Sequence, residues 1–202
     1  EGTSILRSTN NTTSHVFTRF GNNKYFGNGQ LETYAAVPGG VTIQQNYYGK
    51  DSCLGNFNYI LKGNAALVTN ENGISYVAGN VVIDGQGARK WVQFTGGTGN
   101  YYIGGNFTAK NFTPFSEAGV GNTQVYLHNV YAGGSDTCGT FYCYNGEIAA
   151  CSFNGNFKLI ADSAQGYTLN NNSFLGADNL FQALAFNAYD NRFGKTGEGT
   201  SI

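Results

Sequence analysis

Apolar residues come in short packets along this chain, and polar corners separate them. From residue 57 to 103 the packets are Phe57-Asn-Tyr-Ile-Leu61, Ala65-Ala-Leu-Val68, Ile74-Ser-Tyr-Val77, Val81-Val-Ile83, Trp91-Val-Gln-Phe94 and Tyr101-Tyr-Ile103. Gln124-Val-Tyr-Leu127, Thr140-Phe-Tyr-Cys143, Phe157-Lys-Leu-Ile160 and Leu180-Phe-Gln-Ala-Leu184 follow. Short packets rich in branched and aromatic residues between Gly and Asn read as β-strands. No stretch keeps a helical period over ten or more residues, so no helix is expected. Upstream, His15-Val-Phe-Thr-Arg-Phe20, Lys24-Tyr-Phe26, Gln30-Leu-Glu-Thr-Tyr34 and Val41-Thr-Ile-Gln-Gln45 alternate less regularly. Gly-Asn pairs and the turn Val37-Pro38-Gly39-Gly40 divide them.

The second half repeats itself. Asn129-Val-Tyr131-Ala-Gly133, Cys151-Ser-Phe153-Asn-Gly155, Asn172-Ser-Phe174-Leu-Gly176 and Asn191-Arg-Phe193-Gly194 share a leading polar residue, an aromatic ring and a glycine. Their leading residues stand 22, 21 and 19 positions apart. A period near twenty, built of short strands and Gly/Asn corners, is that of a β-solenoid. The expected fold is therefore all-β, a single-stranded parallel β-helix. Residues 1–60 are expected to form an N-terminal cap or irregular first coils, and residues 61–202 the regular coils. An antiparallel β-sandwich shares the short strands and the glycine corners, and only the repeat favours the solenoid. The leading residues Asn129, Cys151, Asn172 and Asn191 are expected to stack as a ladder at one corner, amide on amide, with the cysteine as its one interruption. Tyr131, Phe153, Phe174 and Phe193 would then stack beside it in the interior.

Val81-Val-Ile-Asp84-Gly85-Gln86-Gly87, followed by Trp91-Val-Gln-Phe94, resembles the opening coil of right-handed parallel β-helix proteins. That superfamily includes pectate lyases, phage tailspikes and many surface adhesins, and the resemblance spans about residues 74–194. It implies a fold, not a function. Its lyases gather carboxylates around a cation beside a base, and its hydrolases set two or three acids on neighbouring coils. Asp84, Glu117, Asp136, Glu147, Asp162, Asp178 and Asp190 fall at different points of their coils, mostly at corners, so no catalytic residue is assigned.

Composition narrows the class. The 202 residues include 30 Gly and 26 Asn, only 11% are charged, and the net charge is −1. There is no clustered Lys/Arg footprint for nucleic acid and no apolar run long enough for a membrane span. Polarity carried by Asn, Thr, Ser and Gly points to an extracellular setting, at a cell or virion surface. A chain beginning at Glu1 reads as a mature form or an excised fragment. His15 and His128 follow no metal-ligand spacing, and neither metal nor cofactor is expected.

Cys53, Cys138, Cys143 and Cys151 lack zinc spacing and would be expected to pair as disulfides in an oxidising compartment. Three lie close together, whereas Cys53 is several coils away. At about 4.8 Å per coil it stands on the order of 15–25 Å from them, against a limit of roughly 7 Å. Cys53 is thus expected on a segment that folds back, free, or bonded to another molecule. A local bridge of Cys138 with Cys143 or Cys151 would close a corner. Sequons mark Asn10, Asn11, Asn106 and Asn171 as glycosylation candidates. Tyr47-Tyr48, Tyr101-Tyr102 and Tyr142 to Tyr144 are candidate carbohydrate contacts. The expected function is an extracellular structural or adhesive solenoid that assembles with copies of itself, head to tail or as a trimer, into a surface filament. The alternative is a tailspike-like domain that binds or cleaves polysaccharide.

Overall fold

A computed structural model describes the chain except residues 1, 11–14, 17–22, 36–40, 48–49, 64–65, 72, 87–90, 97–98, 112–123, 144, 162–166, 184 and 195–202. Its strands follow one another in triplets, each triplet one coil. The first coil is β1 (Thr3–Asn10), β2 (His15–Val16) and β3 (Lys24–Tyr25), and the second is β4 (Asn28–Ala35), β5 (Val41–Tyr47) and β6 (Lys50–Cys53). Next come β7 (Phe57–Gly63), β8 (Ala66–Glu71) and β9 (Ile74–Val77), then β10 (Val81–Asp84), β11 (Trp91–Gly96) and β12 (Asn100–Ile103). The fifth coil is β13 (Phe107–Lys110), β14 (Gln124–His128) and β15 (Val130–Ala132), and the sixth is β16 (Thr140–Cys143), β17 (Asn145–Ala149) and β18 (Ser152–Phe153). The last two are β19 (Lys158–Ala161), β20 (Tyr167–Asn170) and β21 (Ser173–Phe174), then β22 (Leu180–Ala183), β23 (Phe186–Tyr189) and β24 (Arg192–Phe193).

Apart from β13 and β16, each strand before the last coil pairs with the strand three places on, and every described ladder is parallel. Three sheets result. The second (β2 to β23) and third (β3 to β24) hold eight strands each, while the first divides into β1-β4-β7-β10-β13 and β16-β19-β22. One bridge, Ala109 to Gly139, connects the two parts of the first sheet. The chain is a parallel β-solenoid, and the sandwich alternative falls because its strands would pair antiparallel. Residues 1–60 supply β1 to β6 and the start of β7 to these same sheets. The Val81–Asp84 strand lies in the middle of the first sheet, between β7 and β13, with three coils before it.

Alternation sets what faces inward. Phe57, Tyr59 and Leu61 of β7 are buried, as are Val81 and Ile83 of β10 and Leu159 and Ala161 of β19. Two phenylalanine columns fill the later coils. Phe107, Phe141, Phe157 and Phe181 stack along one side at 5.8, 5.6 and 6.0 Å between centroids. Phe153, Phe174 and Phe193 stack along the other at 6.0 and 5.6 Å. The columns touch through Phe153–Phe157 and Phe174–Phe181, both at 4.7 Å. Each fully buried ring contributes about 1.5–3 kcal/mol by burial alone. Gly146 makes one long contact feasible: a Cβ there would overlap the Val125 carbonyl and stand 3.0 Å from the Tyr167 ring. Its absence lets Tyr167 reach back two coils and donate its hydroxyl to that carbonyl at 2.9 Å.

The corner between the second and third sheets needs a left-handed residue in every later coil. Asn129, Ala150, Asn171 and Asp190 take it, with φ of 55°, 53°, 53° and 53°. Asn and Asp tolerate this conformation, whereas alanine's Cβ is strained there. Ala150→Gly is therefore expected to stabilise the protein by about 1 kcal/mol after glycine's extra freedom in the unfolded chain is set against the relief. A higher urea midpoint at unchanged slope checks this, and an unchanged or lower midpoint contradicts it.

Candidate functional site: corner ladders and an aromatic groove

Directly after that left-handed corner the chain turns inward, and the next residue meets the coil before it. Asn172, buried, donates its amide to the Ile148 carbonyl at 2.7 Å and accepts the backbone N–H of Cys151 at 2.9 Å. Asn191 repeats the pattern, donating to the Leu169 carbonyl at 2.9 Å and accepting the Asn172 N–H at 3.1 Å. The side chains also join directly, Asn172 Nδ2 donating to Asn191 Oδ1 at 2.9 Å. Cys151 occupies the same rung. Its thiol lies 3.2 Å from the Leu127 carbonyl and accepts the Val130 N–H at 3.4 Å. Sulfur thus replaces the amide in both directions, with weaker bonds.

Asn129 is not on this ladder. Val130 fills the rung, and Asn129 is the left-handed residue before it. Tyr131 is displaced by the same single step. It pairs with Ser152, while Ala132 pairs with Phe153. A one-residue shift turns a strand side chain to the opposite face, so Tyr131 points out of the solenoid and not into the phenylalanine column.

A second ladder, unforeseen in the sequence, runs along the corner between the third and first sheets. The Oδ1 atoms of Asn28, Asn56, Asn80 and Asn106 accept the backbone N–H of Asn56, Asn80, Asn106 and Asp136 at 2.9, 2.8, 2.8 and 3.1 Å. Asn106 also donates to Asp136 Oδ2 at 2.8 Å. Asn156 and Asn179 continue the device, accepting from Asp178 N and Phe157 N at 2.9 Å each. Its signal was legible: Gly27-Asn28, Gly55-Asn56, Gly79-Asn80, Gly105-Asn106 and Gly155-Asn156 each open an apolar packet.

The expected disulfides are not formed among the described residues. Cys53, Cys138 and Cys151 are free and buried. Cys53 lies several coils from the other two and directs its thiol to the Gly27 and Asn56 carbonyls at 3.3 and 3.5 Å, while the Cys151 thiol is held at the Leu127 carbonyl. With 3% of its surface exposed, Cys53 is closed to a bond with another molecule. Burial pushes the Cys138 and Cys151 thiols up to about 12. The side chain of Cys143 lies outside the described residues. So do Asn11 and Tyr48, and the side chains of Asn10, Tyr47 and Tyr142. Asn106 is engaged in the ladder, and Asn171 is exposed at its corner.

Described carboxylates bind coil to coil. Glu32 receives Arg7 Nε at 2.7 Å and Lys62 Nζ at 3.1 Å, joining three coils. Hydrogen bonds from Arg7 and then Lys62 hold its carboxyl at about 2, against the opposing push of burial. Burial pushes the Asp84 carboxyl up, but hydrogen bonds from Asn111 and Gln86 and the charge of Lys110 outweigh it and leave it below its ordinary range. Asp51, buried, accepts the Asn23 N–H at 2.7 Å. No three potential metal ligands come together among the described residues.

The outer face of the third sheet is different. Tyr76, Tyr102 and Tyr131 stand in register on β9, β12 and β15. Their rings stack at 5.2 and 5.1 Å, with planes 14° and 20° apart. Burial raises the Tyr131 hydroxyl above its ordinary value, with Tyr102 adding to it. Beside the rings runs an open groove of about 570 Å³, whose shelf is Leu54, Ala78, Gly104, Gly133 and Asn154. The shelf is narrow because the coils approach closely there; a Cβ on Gly104 would stand 2.5 Å from the Ala78 carbonyl.

The fold and these features define a parallel β-solenoid protein with two polar corner ladders and one aromatic groove. No known protein family, curated protein or solved structure matches the chain.

Asn172→Ala strands the buried Cys151 N–H and the Ile148 carbonyl and is expected to cost about 2–4 kcal/mol; Asn172→Cys, copying Cys151, is expected to cost less. Equal losses in urea titration would contradict the ladder's role. Glu32's lowered carboxyl contributes stability above its ordinary value of 4.5, lost as the pH falls through about 2. Glu32→Gln is expected to flatten the fall of melting temperature across that window; an unchanged acid limb would contradict it.

Proposed function

We propose that this chain is an extracellular structural and adhesive protein, a rigid solenoid that assembles with copies of itself into a surface filament. The observation that carries this reading is how the described polar side chains are spent. Asn28, Asn56, Asn80, Asn172 and Asn191, together with Glu32, Asp51 and Asp84, hold one coil to the next. Such bonding favours a stiff rod. Low charge and an Asn- and Gly-rich surface support an extracellular setting, where exposed Asn171 is the sequon best placed to carry a glycan.

Assembly has a physical rationale in the last described coil. β22, β23 and β24 each end their sheet. Ala188 is exposed at the register position where the preceding coil buries Leu169, and Leu180 and Tyr189 are also exposed. A coil of the same cross-section, added in parallel, would pair all three strands and cover Ala188, while Leu180 and Tyr189, in register with Lys158 and Asn170, stay on the outer face. A copy's β1, β2 and β3 present that cross-section, so the contact is head to tail and open-ended.

Sedimentation velocity over rising concentration tests this. The expected result is a series of large species, unaffected by reductant because Cys53 is buried, which Ala188→Asp reduces to monomer. A monomer at every concentration, or a single closed trimer, would overturn the filament reading.

A further inference from the structure

The groove beside the tyrosine stack is built differently from the rest of the surface. Phe26, Leu54 and Tyr76 are 79%, 64% and 47% exposed, and they stand on successive coils at the groove's N-terminal end. In the outward column of the third sheet the three tyrosines are flanked by Ser52 on one side and Ser152 on the other. Tyr102 has a ring on each face, so its faces are covered. Tyr76 has a ring on one face and, on the other, only the small Ser52. The space over Ser52 is left open between Tyr76 and Lys24, the next residue of the column, with Leu54 at its side.

Three observations choose the occupant. None of the residues lining the groove is charged, which disfavours nucleic acid and polyanionic chains, since these are held by basic side chains. The backbone donors along the shelf are already used: Leu54, Ala78, Gly104, Gly133 and Asn154 each donate to the preceding coil at 2.8–3.2 Å. An extended peptide could therefore add no strand through these donors. What remains available is an aromatic face, apolar side chains, tyrosine and serine hydroxyls and the Asn154 amide, which donates to the Gly133 carbonyl at 3.1 Å and keeps its oxygen for a ligand. These groups suit a ring with apolar C–H faces and an uncharged hydroxyl rim. The groove also runs along the solenoid axis, crossing the coils from Ser52 to Ser152, so it suits a linear chain of such rings.

We propose that this groove binds an uncharged linear polysaccharide along the solenoid axis, with one sugar ring stacked on the open face of Tyr76 above Ser52. The chain then follows the shelf past Ala78, Gly104 and Gly133 with hydroxyls toward the tyrosine edges. The inference rests on the adhesive half of the function proposed above and names its ligand class.

The test is affinity electrophoresis of the full chain through gels containing hydroxyethylcellulose, xylan, mannan, glycol chitin or dextran, with polygalacturonate and heparin as anionic counterparts. Retardation by at least one neutral glycan is expected, with little by either anionic one. Tyr76→Ala should weaken it at least tenfold. Ala78→Glu, which fills and charges the shelf without touching the core, should do the same, whereas Thr168→Ala on the second sheet should not. Unchanged melting curves establish that the variants fold. The proposal is overturned if no neutral glycan retards the protein, if an anionic glycan binds more tightly, or if neither groove variant weakens binding. Sedimentation of the same variants separates the two claims: lost glycan binding with intact assembly leaves the filament reading standing.

Discussion

At the described corners of this protein some backbone N–H groups are paired by no strand ladder, those of Asn56, Asn80, Cys151 and Asn172 among them. In a solenoid those groups lie against the neighbouring coil, away from water, where an unmet donor costs about 1–3 kcal/mol. Side chains reaching across to the next coil meet that demand. Asn28, Asn56, Asn80 and Asn106 do so at one corner, and Cys151, Asn172 and Asn191 at another. At the first corner Asn28, Asn56, Asn80, Asn106 and Asn156 accept from the coil after them, and Asn179 reaches back to Phe157 of the coil before; at the second, Cys151, Asn172 and Asn191 all accept from the coil before. The stack is thereby fixed from both directions.

The interior follows from the same stacking. Once corners set which residue faces in, equivalent positions on successive coils coincide, and like side chains meet like. The phenylalanine columns through Phe141 and Phe157 and through Phe153 and Phe174 are the result. Outside, the same register aligns Tyr76, Tyr102 and Tyr131. Core, ladders and groove are one periodicity read at different positions of the coil, which is why the groove is straight and parallel to the axis.

Much of the fold could be read from the sequence. The twenty-residue period in the second half is genuine, and the ladder rungs Cys151, Asn172 and Asn191 lie together as their spacing suggests. Asn129 and Tyr131 show where pattern reading fails. Two consecutive corner positions both favour Asn, one for its left-handed backbone and one for its amide, as Asn171-Asn172 and Asp190-Asn191 illustrate. A lone Asn before a valine fits either, and only strand register decides. The ladder from Asn28 to Asn106 escapes a search for a fixed period because its spacing varies, 28, 24, 26 and 30 residues between bonded rungs. Corner segments of unequal length blur the period while the strands stay in step. The cysteines misled for another reason. Oxidising surroundings favour pairing in general, but a thiol can also serve as a corner hydrogen-bonding group, which composition does not reveal. The groove depends on which faces of stacked rings remain open, and that is fixed by the serines at each end of the column.

The central claim is that side chains of one coil satisfy the corner amides of the next. Residue-resolved amide hydrogen exchange tests it most directly, read at the backbone N–H of Asn56, Asn80, Asn106, Cys151 and Asn172. None of these is paired within a strand ladder, so any protection must come from the acceptors described. The account predicts protection comparable to that of the central strand amides of β10 and β14, and its loss at Asn80 when Asn56 is changed to alanine. Exchange at those corners as fast as in an unstructured peptide would contradict it.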